Sequence, residues 1–183
     1  MMGILRALGL IFVVLTMFNG SINSSQVQSF VKLKKIHCKT SNPEHVSLEE
    51  CQILDKVNES RVQTLCYFKE NPINQVNLRM KSYVKRSMGY VPFVIDITVD
   101  WCEFLINRSN VILKRLFGLV EKYSNMHTKC PIKEAYIYLN ASIDKDRGFH
   151  LPFKFPAGEY RIDFITSFNV VIDVVTYLYF EVE

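Results

Sequence analysis

Residues 158–183 read GEYRIDFITSFNVVIDVVTYLYFEVE, and their periodicity decides the fold. Tyr160, Ile162, Phe164, Thr166 and Phe168 recur at every second position. So do Val170, Ile172, Val174, Thr176, Leu178, Phe180 and Val182. Side chains two apart point to the same side of a strand, so each set marks one buried face of a long β-strand. Upstream, Phe93, Ile95, Ile97, Val99 and Trp101 alternate with Asp96, Thr98 and Asp100, which predicts a strand from Phe93 to Cys102 behind a turn at Gly89-Tyr90-Val91-Pro92. Residues 60–69 alternate clearly, 73–85 form a polar strand with one side exposed, 28–38 alternate imperfectly, and strand character returns at 136–139.

The period changes between Val111 and Tyr123. Ile112, Leu116, Leu119, Val120 and Tyr123 follow helical spacing, opposed by Lys114, Arg115, Glu121 and Lys122. The spacing predicts an amphipathic helix, with a start as early as Glu103 if Ser109-Asn110 act as an interruption or cap. Repeats, low-complexity tracts and interdomain linkers are lacking. The expectation is a mainly β single domain over residues 24–183: an antiparallel sandwich with one amphipathic helix between strands.

Residues 1–23 read as a secretory signal peptide. One positive charge at Arg6 precedes an apolar run over residues 7–18, and small polar residues follow, with cleavage expected between 20 and 25. The run is well short of the ~20 residues that a membrane-spanning helix needs. A secreted, extracellular product with no membrane span is expected. Four sequons agree with it, at Asn23, Asn58, Asn107 and Asn140. Asn23 is close enough to the cleavage site to leave with the leader, so Asn58, Asn107 and Asn140 are the candidate glycosylation sites.

The net charge of +4 is weak, and Lys32, Lys34, Lys35 and Lys39 fit a solvated strand face, so nucleic acid is not an expected partner. Five cysteines, Cys38, Cys51, Cys66, Cys102 and Cys130, leave one over in any full pairing. The count alone leaves fifteen arrangements open. Alternation gives a hint, since Cys66 shares a strand face with Val62, Thr64 and Phe68 and so looks like a buried free thiol. That leaves Cys38 with Cys51 and Cys102 with Cys130, while intermolecular pairing through Cys66 stays as the alternative.

Signatures of catalysis are missing. The chain has no G-x-S-x-G elbow, H-E-x-x-H pair, C-x-x-C pair or glycine-rich phosphate loop. His37, His45, His127 and His150 lie far apart in sequence, and Asp96 with Asp100 fits a solvated face better than a glycosidase pair. No enzyme, metal or cofactor is expected. The positive signal is aromatic excess, thirteen Phe and nine Tyr, with a Phe- and Pro-rich stretch over 148–158 where a cavity mouth is placed.

Three motifs carry a family resemblance: KRSMGYVPF at 85–93 running into DITVDWCEFL at 96–105, SNMHTKCP at 124–131, and FPAGEY at 155–160. Together with Cys38 and Cys51 they resemble the insect secreted family called domain of unknown function 1091. That family is similar to gustatory chemosensory proteins and, more distantly, to ML lipid-recognition domains of the ganglioside-activator kind. The resemblance implies an immunoglobulin-like β-sandwich with a hydrophobic ligand between its sheets, and Cys38, Cys51, Cys102 and Cys130 as the shared cysteines. Cys66 departs from the pattern, and the family supplies no catalytic residues.

The resulting expectation is a secreted glycoprotein that binds a small hydrophobic or lipid-like molecule, in a chemosensory setting with an extracellular receptor. Its expected lining is Ile97, Val99, Trp101, Phe104, Phe117, Phe153, Tyr160, Ile162 and Phe164. The alternative is an extracellular protein-interaction module with a filled core.

Overall fold

The computed structural model describes residues 31–126, 129–144, 155–169 and 172–183. The expected leader, Asn23, His127, His150 and Phe153 lie outside the described residues. Eight strands are described: β1 (Val31–Thr40), β2 (Val46–Asp55), β3 (Glu59–Phe68), β4 (Val76–Arg86), β5 (Gly89–Asp100), β6 (Tyr136–Asp144), β7 (Gly158–Phe168) and β8 (Ile172–Val182). Two helices, α1 (Trp101–Asn107) and α2 (Val111–Val120), separate β5 from β6, and a 3-10 turn (Glu121–Tyr123) follows them. The strands form a five-stranded sheet, ordered β1-β8-β7-β4-β5, and a three-stranded sheet, ordered β2-β3-β6. All pairings are antiparallel. The molecule is a mainly β sandwich with a helical insertion, the class that the sequence predicts.

The long alternating stretches become the middle of the larger sheet. β4 buries Val76, Leu78, Met80, Ser82 and Val84 at every second position, and β7 buries Tyr160, Ile162 and Phe168 on its inward face. Where alternation falters there is a bulge. In β1 the register slips between Leu33 and Lys35, so Lys34 and Lys35 are both exposed and Ile36 returns toward the core. One extra residue re-aims the chain without ending the strand. A second slip lies opposite β5, between Lys81 and Tyr83, where the buried Ser82 hydroxyl accepts the Ile95 N–H at 3.0 Å. That bond satisfies a ladder donor that would otherwise be buried unpaired. Strand β2 gives little sequence signal because a slip between Leu48 and Glu50 breaks its alternation.

One boundary differs from the sequence reading. The strand expected to run to Cys102 stops at Asp100, and Trp101 opens α1. The Asp100 carboxylate accepts the Glu103 N–H at 3.0 Å, an N-cap that makes the helix start there. Helix α1 ends at Arg108, whose φ of 50° is left-handed, and Asn110 caps α2 by accepting the Leu113 N–H at 2.9 Å. The single helix expected from periodicity is therefore two short ones. Arg108 binds them: its guanidinium lies over the rings of Phe104 (5.3 Å) and Phe117 (4.6 Å) and pairs with Glu121 at 2.9 Å.

Disulfides hold the seams. Cys38–Cys51 joins β1 to β2, the edge strands of different sheets, and Cys102–Cys130 joins α1 to the segment before β6. Cys66 is free and half-buried on β3. Two apolar clusters occupy the interior of the sandwich. One gathers Trp101, Phe104, Phe117, Phe68 and Phe168 beside the helices, and the other gathers Met80, Val84, Tyr160 and Phe180 toward the β4–β5 hairpin.

Candidate functional site

A cavity of about 280 Å³ lies between the sheets, and both apolar clusters supply its walls. The large sheet contributes Leu33 and Ile36 from β1, Val76 and Leu78 from β4, Ile162, Phe164 and Phe168 from β7, and Val174, Leu178 and Phe180 from β8. The small sheet faces them with Val62 and Cys66 from β3 and Ile137, Leu139 and Ile143 from β6. Helix α2 forms a third wall through Leu113, Leu116, Phe117 and Val120, with Trp101 of α1 beside it. Amphipathicity explains this placement, since the i, i+3, i+4 and i+7 positions turn one apolar stripe inward while Lys114 and Arg115 stay exposed.

The size is informative. A lipophilic void of ~150 Å³ already stays dry and takes an aromatic guest, and ligand sites begin near 300 Å³. Compact cores pack to crystal density with few voids larger than a water molecule. A void of this volume is far larger than the packing gaps of a compact core. Its described lining carries no Lys, Arg, His, Asp or Glu; the polar side chains are Thr64, Thr166, Thr176, Ser142 and the thiol of Cys66. Burial pushes that thiol up to about 11, so it stays protonated and inert near neutral pH.

Of the residues that the sequence places in the lining, Trp101, Phe117, Ile162 and Phe164 border the cavity. Phe104 instead packs behind it, edge-on to Phe117 at 5.9 Å and against Trp101 at 5.3 Å. Tyr160 lies in the hairpin-end cluster, stacked on Phe180 at 5.6 Å, with its hydroxyl donating to the Pro156 carbonyl at 2.7 Å. Ile97 and Val99 are half-buried on β5, a strand that gives the cavity no wall. Sequence reasoning left out the β8 face and, apart from Phe117, the α2 stripe. Both signals were present, since Val174, Thr176, Leu178 and Phe180 alternate and Leu116 and Val120 share the helix stripe.

The titratable groups weighed for chemistry have structural work. Asp96 accepts both Arg79 hydrogen bonds at 3.0 Å, which holds its carboxyl below the usual range. Asp100 is the α1 cap. His45 pairs with Glu70 at 2.7 Å, and His37 stacks on Tyr177. Among the described residues no group of three or more His, Cys, Asp or Glu is placed to hold a metal ion. The asparagines of the described sequons, Asn58, Asn107 and Asn140, are all exposed.

Residues 76–162 match the model of the family described as "Protein of unknown function (DUF1091)". The matched DUF1091 segment runs from β4 through both helices into β7, and so includes Trp101, Phe117 and the Cys102–Cys130 bridge. Among solved structures the chain is similar to a Niemann-Pick type C2 protein from the Japanese carpenter ant. The two share 14% identity and a TM-score of 0.32, over 82% of this chain and 90% of that one. No curated protein matches the chain. The DUF1091 segment supplies the third wall of the cavity but neither β3 nor β8, so the site is built jointly by family-matched and flanking sequence.

Proposed function

We propose that this protein is an extracellular carrier that holds one small hydrophobic, lipid-like molecule between its sheets. The observation that carries the reading is the cavity of about 280 Å³ with its apolar lining. Enclosure by three walls removes ligand surface from water, and each buried Å² of apolar area contributes ~25 cal/mol to binding. The catalytic pairings that would favour an enzyme are taken up by helix caps and surface ion pairs among the described residues. A solid-cored interaction module fits less well, because its core would be filled.

Two disulfides support an oxidising compartment, and exposed sequon asparagines are compatible with glycans at Asn58, Asn107 and Asn140. Among the described residues no helix is long and apolar enough to cross a membrane. A carrier of this kind suits delivery of an apolar signal to an extracellular receptor, the chemosensory use that the family resemblance implies.

The test is mass spectrometry of an organic extract from the protein secreted by insect cells, paired with titration of apolar ligands against the buried Trp101. A stoichiometric apolar species, or saturable change in Trp101 emission, is the expected result. An empty extract together with unresponsive emission across alkanes, alcohols, esters and sterols would overturn the carrier reading.

A further inference from the structure

The polar atoms of the cavity are few: Ser142 donates to the Glu59 carboxylate at 2.6 Å, and the three threonine hydroxyls gather near one seam. Thr176 on β8 is the cross-strand partner of Cys38 on β1, and its hydroxyl donates to the Cys38 sulfur at 3.7 Å. Cys38 is bonded to Cys51, and the partner of Cys51 across the β2–β3 pair is Thr64. The row Thr176, Cys38, Cys51, Thr64 therefore crosses the seam between the sheets at one level and brings a hydroxyl from each sheet to it. Thr166 pairs with Val174 on β7–β8, which makes it the diagonal neighbour of Thr176. Cys66 follows Thr64 on the same face of β3.

These hydroxyls have spare capacity. Disulfide sulfur is a weak acceptor, and a hydroxyl that donates once still offers two lone pairs. Among the described residues no side-chain hydrogen bond engages the Thr64 or Thr166 hydroxyl. Polar groups facing an apolar void are costly unless something bonds them. The charged residues beside the lining alternate away from it: Lys32 and Lys34 flank Leu33, and Arg161 and Asp163 flank Ile162 and pair with each other at 2.7 Å on the outer face. A buried anion or cation would find no counter-charge among the described lining residues.

We infer that the cavity selects an uncharged amphiphile, a long-chain alcohol, whose hydroxyl donates to Thr176 and accepts from Thr64 at the Cys38–Cys51 seam. This rests on the carrier reading and names its ligand class. A fatty-acid anion of the same length is discriminated against because its carboxylate would be desolvated without a partner. An alkane enters but leaves the hydroxyls unbonded.

The test is competitive binding of dodecanol, dodecanoic acid and dodecane to the full secreted chain, with dodecanol repeated at every pH as the control. At neutral pH dodecanol binds on the order of tenfold more tightly than dodecanoate. The acid recovers relative to the alcohol as the pH falls and its carboxyl becomes neutral. In the near-isosteric variants Thr64→Val and Thr176→Val, dodecanol affinity drops about three- to tenfold, the worth of one neutral hydrogen bond, and dodecane affinity holds. Equal binding of alcohol and carboxylate at neutral pH would overturn the inference and leave the carrier intact. Equal losses for alcohol and alkane in the variants would do the same. Failure of all three ligands to bind would overturn the carrier reading itself.

Discussion

The indole N–H of Trp101 donates to the Met126 carbonyl oxygen at 3.3 Å, fastening the first residue of α1 to the segment that leads to Cys130. Both residues also line the cavity. The only tryptophan of the chain is thus a buried wall of the site and a tie in its frame. Ligand entry is expected to change Trp101 emission saturably, without unfolding. Trp101→Phe should keep the fold at a cost of about 1 kcal/mol for the lost bond, measured by urea denaturation, and abolish the signal.

Cys66 faces the cavity with its thiol pushed up to about 11 by burial. From an ordinary value of 9.0, that shift leaves on the order of 100-fold less thiolate at pH 8 in the folded chain than in the unfolded one. Iodoacetamide should therefore label native Cys66 at least about 100-fold more slowly than the denatured protein. Linkage follows the same sign: the raised value stabilises the fold below pH 9, and that contribution fades as pH rises toward 11. Rapid native labelling would place Cys66 outside the cavity wall.

Affinity should climb with the alkyl length of the ligand. Each added methylene buries apolar surface worth about 0.8 kcal/mol, close to fourfold in Kd. The climb should stop, then reverse, once the volume of about 280 Å³ is filled, since overpacking costs energy as cavities do. Calorimetry across a series of alcohols checks this, and a flat series would mean that the alkyl chain stays in water.

Acid should weaken the fold by a defined route. Hydrogen bonds from Ser142 to Glu59, from Arg79 to Asp96 and from Lys34 to Glu181 hold these carboxyls below their ordinary values. Groups with depressed folded values stabilise above their unfolded values, and that stability is lost as pH falls through the folded ones. The urea midpoint should therefore be level from pH 7 to about 5 and decline below about 4.5. All three are surface groups, so salt should shrink the effect. A midpoint that rises on acidification would contradict it.

Non-reducing peptide mapping should recover Cys38–Cys51 and Cys102–Cys130, with Cys66 alkylated only after unfolding. Replacing Cys102 and Cys130 together by Ala should cost about 2–5 kcal/mol, since the bridge closes a loop and pins α1 to the β6 side. Recovery of Cys66 in a disulfide would redraw the seam between the sheets.

Strand identity was legible wherever a strand is regular and buried on one face. β7 and β8 announce themselves by alternation, and β3 by Val62, Thr64, Cys66 and Phe68. β2 was not legible, because its bulge puts Glu49 and Glu50 side by side, and a local slip erases a period-two signal. The start of α1 was misplaced for a related reason. Trp101 continues the apolar alternation of β5 by residue type, whereas the Asp100 cap ends the strand through a bond that periodicity does not register. Of the expected lining residues, Trp101, Phe117, Ile162 and Phe164 border the cavity, whereas Phe104, Tyr160, Ile97 and Val99 are apolar residues with other neighbours.

By itself the sequence determined the class: antiparallel strands around a large apolar core, a helical interruption after β5, and a family pattern over residues 76–162. Those are local properties, fixed by residue spacing and motif. Whether the apolar faces meet or stand apart is a matter of how two sheets and a helix are held, and no spacing encodes it. Only the tertiary structure placed β3 and β6 opposite β7 and β8 at a separation that leaves about 280 Å³, and set Thr64 level with Thr176. A void is the difference between where walls stand and what their side chains fill, so it exists only once the walls are assembled.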